Sequence, residues 1–413
     1  MKPVELGVWL HDQRVATLRS RRVGAVECVY TAEALGTWPG NVPLISCSLP
    51  LRSGKQPAWS FTTGLLPEGQ HRQAMAGLAG VPTNDVLGML KRFGRDVAGA
   101  LVISADDPPL RNPSVSPYSA NELVDAVAAL SGEHPLGLFE DSELSIAGLA
   151  DKMLLVEVSP GRFGRPLHGA PSTHILKVDD RIRRGLVRAE HACLELAAAA
   201  TLDAANSFLL TAGDTECIIV RRFDRSEVDG QLTRVHQEDA CQALGIDPGR
   251  NERRGKYEEY GGPGWRDVAR VLERWAADPV EELLRLVDVM AFTVTIGNAD
   301  AHGKNIALLH PAPGVVRLAP LYDTVPTMVW PELRPRAAMG VAGEFSLPAV
   351  DVEHMADEAA SWGLDRKVVR ERTLETVGRV RDAARAGAVS VDTPAVAAVA
   401  RRAKALLGSR PGR

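Results

Sequence analysis

The sequence predicts an α+β chain whose strands lie in the amino-terminal and middle parts and whose helices dominate the remainder. Short alternating apolar runs separated by polar or glycine-containing turns occupy residues 4–18 and 144–177. An apolar stripe at helical spacing runs through residues 280–296, and residues 352–413 are rich in Ala and Arg. Taken in order, Val4 to Leu10 and Arg14 to Leu18 read as strands around a polar turn at residues 11–13. Thr83 to Lys91 reads as helix. Asp106 to Pro117 concentrates proline, serine and charge and reads as a linker, which places a boundary there. Asn121 to Leu130 is an amphipathic helix, and Leu144 to Lys177 has the pattern of a small twisted sheet. Glu190 to Leu202 returns to helical spacing, and Glu216 to Phe223 is a strand. In Val280 to Ile296, residues Leu283, Leu284, Val287, Met290, Ala291 and Val294 share a stripe, and Gly297 is placed to stop the helix. Ile306 to Leu309 and Val315 to Leu318 form a hairpin around HPAPG.

With 413 residues, 45% apolar and 24% charged, the chain is long enough for two to three structural units and too ordinary in composition for a disordered, collagenous or coiled-coil protein. The net charge of −4 supplies no global field for a phosphate backbone. Residues 366–413, however, carry twelve Lys/Arg against four Asp/Glu, which reads as a solvated helical face or a basic surface near DNA. The five cysteines are irregularly spaced without CxxC and read as reduced, mostly buried thiols. Glu5, His11 and Asp12 interrupt any signal-like stretch, and no apolar run is long enough for a bilayer, so a cytoplasmic location without membrane contact is expected. Only nine of the 48 basic residues are Lys. In a chain that writes its positive charge as Arg, Lys152, Lys177 and Lys304, each on a strand or in a tight polar loop, call for a reason.

The densest polar cluster is Gly297-Asn298-Ala299-Asp300-Ala301-His302-Gly303-Lys304-Asn305. A helix-ending turn accounts for Gly, Asn and Asp on its own. Asp300 and Asn305, however, have the D-x-x-x-x-N spacing of a phosphotransfer loop, in which the Asp takes a hydroxyl proton and the Asn binds metal. The following hairpin leads to Pro320-Leu321-Tyr322-Asp323, where a second carboxylate would reach the same Mg²⁺. Lys177 lies within an alternating strand, where an inward ammonium requires a phosphate or a carboxylate; Glu190 is one candidate. The small residues before Lys152 let backbone N–H groups approach a phosphate. The strand ending at Phe223 would read adenine through its backbone, with Asp224 reaching the ribose.

Together these motifs resemble the HipA-like serine/threonine kinases, toxins of bacterial toxin–antitoxin pairs. The resemblance runs in order through SIAGLADK (145–152), THILK (173–177), RRFDR (221–225), HQEDACQ (236–242), YGGPG (260–264), GNADAHGKN (297–305) and PLYD (320–323). It extends to SLPLR (48–52), LLPEG (65–69) and GRDVAGAL (94–101). It implies a two-lobed protein-kinase-like fold with an added amino-terminal strand-rich subdomain (1–110), an N-lobe-like region with phosphate loop and hinge (111–223) and a helical C-lobe (224–413). It also implies ATP and Mg²⁺ as cofactors, Asp300 as catalytic base, Asn305 and Asp323 as metal ligands, and Lys177 as the phosphate-binding lysine. The phosphate loop is then Ala147, Gly148, Leu149, Ala150, Asp151 and Lys152, and the hinge is Arg221, Arg222 and Phe223 with Asp224. His302, Gly303 and Lys304 complete the nucleotide site. Ser145 falls on the serine that such kinases autophosphorylate; added charge beside phosphate-binding backbone repels the nucleotide and silences the enzyme. Ala150 stands where the family has Gln, and Arg221 where relatives are often acidic. The expected partners are a small helix-turn-helix antitoxin (HipB-like), operator DNA through it, and a protein substrate such as an aminoacyl-tRNA synthetase, whose modification inhibits translation. A small-molecule phosphotransferase and a weakly catalytic co-repressor are the alternatives.

Overall fold

Alternating apolar side chains draw the first two segments into a hairpin. In the computed structural model, which describes residues 4–22, 24–107, 109–110, 112–130, 151–179, 183–228, 231–391 and 393–408, β1 (Val4–Leu10) and β2 (Gln13–Arg22) pair antiparallel. His11 takes φ 53° to close the turn between them. β3 (Ala25–Tyr30), β4 (Lys55–Pro57) and β5 (Leu101–Ser104) complete a five-stranded sheet in the order β4-β3-β2-β1-β5. Helices Trp59–Gly64, Gly69–Ala79 and Val86–Phe93 contribute Phe61, Met75, Leu90 and Phe93 to the same core as Leu6, Val8 and Leu18. The last of these helices starts at Val86 because the Asp85 carboxylate accepts the Gly88 N–H.

A second, six-stranded sheet contains β6 (Ser114–Pro117), β7 (Lys152–Ser159), β8 (Arg162–Leu167), β9 (His174–Val178), β10 (Ser207–Ala212) and β11 (Thr215–Arg221), in the order β10-β11-β9-β7-β8-β6. Helix Ala120–Leu130 buries Val127 and Leu130 with Leu155, Leu176 and Ile219 of this sheet. The stretch read as a linker is thus partly β6. It is tolerated because β6 is an edge strand with β8 as its sheet neighbour, and Pro117 is its final residue.

Contacts divide the chain into two units. The first contains Met1–Arg184, Leu210–Gly249 and Leu309–Gly314, and the second contains Gly185–Leu209, Arg250–Leu308 and Val315–Arg413. Residues 224–249, which the sequence groups with the helical part, fall in the first unit by their contacts.

The second unit is built on Pro279–Ile296, whose start is set by Pro279 and by the Asp278 side chain accepting the Glu281 N–H. Phe292 and Ile296 pack with Cys193 and Leu196 of helix Leu186–Ala199, Val380 of Arg366–Arg385 and Val399 of Pro394–Gly408. Asp288 interrupts the apolar stripe without breaking the core: Arg372 donates to both carboxylate oxygens at 3.1 and 2.7 Å, and the Thr376 hydroxyl donates at 2.7 Å. The basic tail helices are therefore core elements on one side, with Val369, Val377, Ala403 and Leu406 buried. Among the described residues no helix is long and apolar enough to cross a membrane. All five cysteines are free thiols, four of them buried and Cys47 half-buried.

Candidate active site

The polar loop of the second unit begins where Pro279–Ile296 stops. Gly297 takes φ 74° and its N–H caps the carbonyls of Thr293 and Val294. A Cβ there would lie 3.2 Å from the Met328 sulfur, so the position requires glycine on two counts. The Asn298 side chain then accepts the Asp300 N–H at 3.0 Å, and the Thr327 hydroxyl accepts the Ala299 N–H at 2.7 Å. Asn305 donates its Nδ2 to the Asp300 carbonyl at 3.1 Å, while the Asn305 N–H bonds to the His302 carbonyl. The five-residue spacing is thus a closed loop, with Asp300 exposed at its tip.

The Asp300 side chain is aimed by a residue that the sequence reading did not single out. The Tyr257 hydroxyl donates to Asp300 Oδ1 at 2.9 Å, and its ring lies edge-on to His302 with centroids 5.4 Å apart. Lys256, 4% exposed, places its ammonium 5.6 Å from the Tyr257 ring, and its carbonyl accepts the Gly303 N–H. Lys256 satisfied the criterion that had marked the other lysines: a rare Lys in an Arg-rich chain. The YGGPG segment makes room for it, since a Cβ on Gly262 would come within 2.6 Å of the Lys256 backbone.

Burial and the Lys256 ammonium push the His302 imidazole well below its usual range, with Asp323 opposing and Lys304 adding to the effect. His302, Lys256, Lys304 and Asp323 therefore share one electrostatic environment. Asp323 holds φ 53°, a left-handed conformation uncommon for a residue with a Cβ. Its neighbour Tyr322 donates its hydroxyl to the Lys304 carbonyl at 2.7 Å. With its Nδ2 on the Asp300 carbonyl, Asn305 could offer its amide oxygen, and Asp323 its carboxylate, to a metal. Two hard oxygen donors of this kind suit Mg²⁺, which takes its remaining ligands from phosphate and water.

In the first unit, Lys152 of β7 stands directly opposite Lys177 of β9, and Lys177 is in turn opposite Ile218 of β11. Directly opposed residues share a face, so the two lysine side chains leave the same face of the sheet. Lys152 is 7% exposed and Lys177 half-buried. Asp151, just before β7, bonds His71 Nε2 at 3.0 Å. Ser145, Ala147, Gly148, Leu149 and Ala150 lie outside the described residues.

The structure gives the hinge residues a different character. Arg222 grips Asp224 at 2.9 and 2.7 Å and also donates to the Ser172 hydroxyl at 2.9 Å. Arg225 bonds Asp96 at 2.8 Å, and the Gly99 N–H and Gln237 donate to Asp224 Oδ2. Burial works to raise the Asp224 pKa, but Arg222 and Arg225 outweigh it and hold the carboxyl far below its usual range. Asp224 is buried with both oxygens committed, which corrects the expectation that it reaches a ribose. Arg222 is equally committed, whereas Arg221 at the end of β11 is exposed. The HQEDACQ motif serves the same interior: Asp239 caps helix Ala240–Leu244 in a capping box with Gln242, whose side chain donates to the Phe61 carbonyl.

Comparison with known proteins identifies the family. Residues 6–104 match the HipA N-terminal domain and residues 144–385 the HipA-like C-terminal domain. Y4mE of Sinorhizobium fredii, named as a kinase, is 35% identical over 393 residues, 91% of each chain. The serine/threonine-protein kinase toxin HipA of Shewanella oneidensis is 26% identical over 78% of this chain and 75% of its own. In fold, the chain is similar to a solved structure described as the Shewanella oneidensis toxin–antitoxin system HipA, HipB and operator DNA complex. That match has a TM-score of 0.81, with 23% identity, covering 97% of this chain and 96% of the other. The chain has the mixed, kinase-like α+β fold and belongs to the HipA-like family of serine/threonine-protein kinases.

Proposed function

We propose that the chain is a Mg-ATP-dependent kinase toxin in which Asp300 takes the proton from a serine or threonine hydroxyl of a protein substrate. The observation that carries this reading is the braced loop of the second unit, where the Tyr257 hydroxyl holds the Asp300 side chain and Asn305 holds its backbone carbonyl. Asn305 and Asp323 would hold the metal, which supplies charge neutralisation on the transferred phosphoryl group. Lys152 and Lys177 supply compact positive charge for the phosphates, Asp151 ends the phosphate loop, and His302, Gly303 and Lys304 complete the nucleotide site. The backbone of Arg221 to Phe223 is assigned to adenine.

The regulatory part of the proposal follows from the resemblance and from the relatives. A HipB-like antitoxin restrains the toxin and brings it to operator DNA indirectly, the substrate is an aminoacyl-tRNA synthetase whose modification inhibits translation, and phosphorylation of Ser145 silences the enzyme. The setting is the cytoplasm. Calorimetry combined with label transfer from γ-labelled ATP tests the chemical core. Asp300→Asn is expected to bind Mg-ATP with near wild-type affinity yet transfer about 10²–10⁴-fold more slowly. Transfer by Asp300→Asn at the wild-type rate would remove Asp300 from the mechanism.

A further inference from the structure

Away from the kinase residues, the first unit gathers a second set of chemically distinctive side chains. Cys47, Glu238 and His310 each offer one ligand atom, and these atoms all lie within 4.8 Å of one another. Glu238 and His310 are buried and Cys47 is half-buried. His310 Nε2 lies 3.0 Å from Glu238 Oε1, the Cys47 N–H donates to the same oxygen at 2.8 Å, and the Ser46 hydroxyl donates to Glu238 Oε2 at 2.5 Å. His310 Nδ1 is buried without a hydrogen-bond partner, as is Nδ1 of His236, whose ring stands 5.0 Å from that of His310. We propose that Cys47, Glu238 and His310 form a binding site for a zinc-class divalent cation.

The donor set selects the metal. A thiolate, an imidazole and a carboxylate are zinc ligands, whereas Mg²⁺ and Ca²⁺ prefer all-oxygen sets. Bond lengths of about 2.0–2.3 Å put tetrahedral ligands roughly 3.5 Å apart, so the trio closes on an ion by side-chain adjustment alone. Outer partners are already in place: Ser46 and the Cys47 backbone orient the carboxylate as hydrogen-bond donors do around protein metal centres. On binding, the Cys47 thiol proton leaves to solvent as the sulfur–metal bond forms. The His310 Nε2 proton moves to Nδ1, the ring atom that lacks a partner. Water fills the fourth position. His310 also lines an open cleft of about 700 Å³ with Trp9, Asp12, Trp38 and His236, which gives the ion a path inward. The bound ion would tie residues 46–47, Glu238 and the strand carrying His310 together, a structural clasp distinct from phosphate transfer.

Cobalt substitution reads the sulfur ligand directly. One equivalent of Co²⁺ added to chelator-treated, reduced full-length protein is expected to produce a thiolate-to-cobalt charge-transfer band and the visible bands of a tetrahedral site, both removed by one equivalent of Zn²⁺. Cys47→Ser should lose the charge-transfer band, and Ser46→Ala should weaken zinc binding about 10–100-fold. Co²⁺ at the Mg²⁺ ligands gives no thiolate band, so the two sites are separable. In the wild type alone, one equivalent of Zn²⁺ should slow alkylation of Cys47 about tenfold or more, mapped by peptide mass. No thiolate band in the wild type, a band that survives Cys47→Ser, or Cys47 alkylation unaffected by zinc would each overturn the site.

Discussion

Tyr257 orients the proposed base through one hydrogen bond to a carboxylate, a contact worth about 1.5–3 kcal/mol. Tyr257→Phe is therefore expected to lower kcat about 10–100-fold while leaving the KM for ATP nearly unchanged. An equal loss in both would mean that the tyrosine supports the nucleotide instead. The buried Arg222–Asp224–Arg225–Asp96 group makes a different kind of claim. Asp224→Asn leaves buried guanidinium charge uncompensated and should cost about 3–5 kcal/mol in denaturant unfolding. Asp96 and Asp224 are both held below the ordinary carboxylate range against the opposing effect of burial. In the unfolded chain they titrate near about pH 3.9, so the stability they contribute is complete above that value and is lost as the pH falls through and below it. The unfolding midpoint of the wild type relative to Asp96→Asn should thus be constant between about pH 5 and 8 and converge only in acid. The five-residue spacing placed Asp300 and Asn305 in one loop, where Asn305 bonds the Asp300 carbonyl. The fate of Asp224 was hidden, because the folded chain turns the neighbouring Arg222 and Arg225 onto its carboxylate and brings the Gly99 N–H, 125 positions away, to Oδ2.

At the scale of elements, the register of β7 against β9 is what turns two separate lysines into a pair. Lys152→Met and Lys177→Met should each weaken Mg-ATP binding about tenfold or more, measured by calorimetry, with the double variant showing non-additive loss as expected for neighbours. Unchanged affinity in both would detach this sheet face from the nucleotide. The helix Pro279–Ile296 was readable to within a residue from its apolar stripe and its Gly297 stop, and the structure adds the Asp278 cap and Pro279 at its start. Gly297→Ala places a Cβ at φ 74° beside Met328 and should cost about 1 kcal/mol or more, reported as a lower thermal midpoint. β6 was not readable in this way. Its four residues SVSP carry polar edge-strand chemistry, and only pairing with β8 distinguishes them from linker.

At the scale of the whole molecule, the chain leaves each unit and returns to it. Leu210–Gly249 and Leu309–Gly314 rejoin the first unit after segments that belong to the second. Composition along the chain could not reveal this, because such returns are decided by long-range partners such as Glu238 with Ser46. The joint order of motifs was nevertheless enough to indicate the family; among the described residues HQEDACQ supplies a cap, YGGPG a close backbone approach and RRFDR a charge pair. The central claim is that this chain transfers phosphate using Asp300 and is silenced at Ser145. The most direct test is the intact mass of wild type and Asp300→Asn, each starting unmodified, after incubation with Mg-ATP, with the modified peptide mapped. The account predicts that the wild type gains one phosphate at Ser145 and that Asp300→Asn gains none. The same gain in both proteins, or none in a wild type that binds ATP, would contradict it.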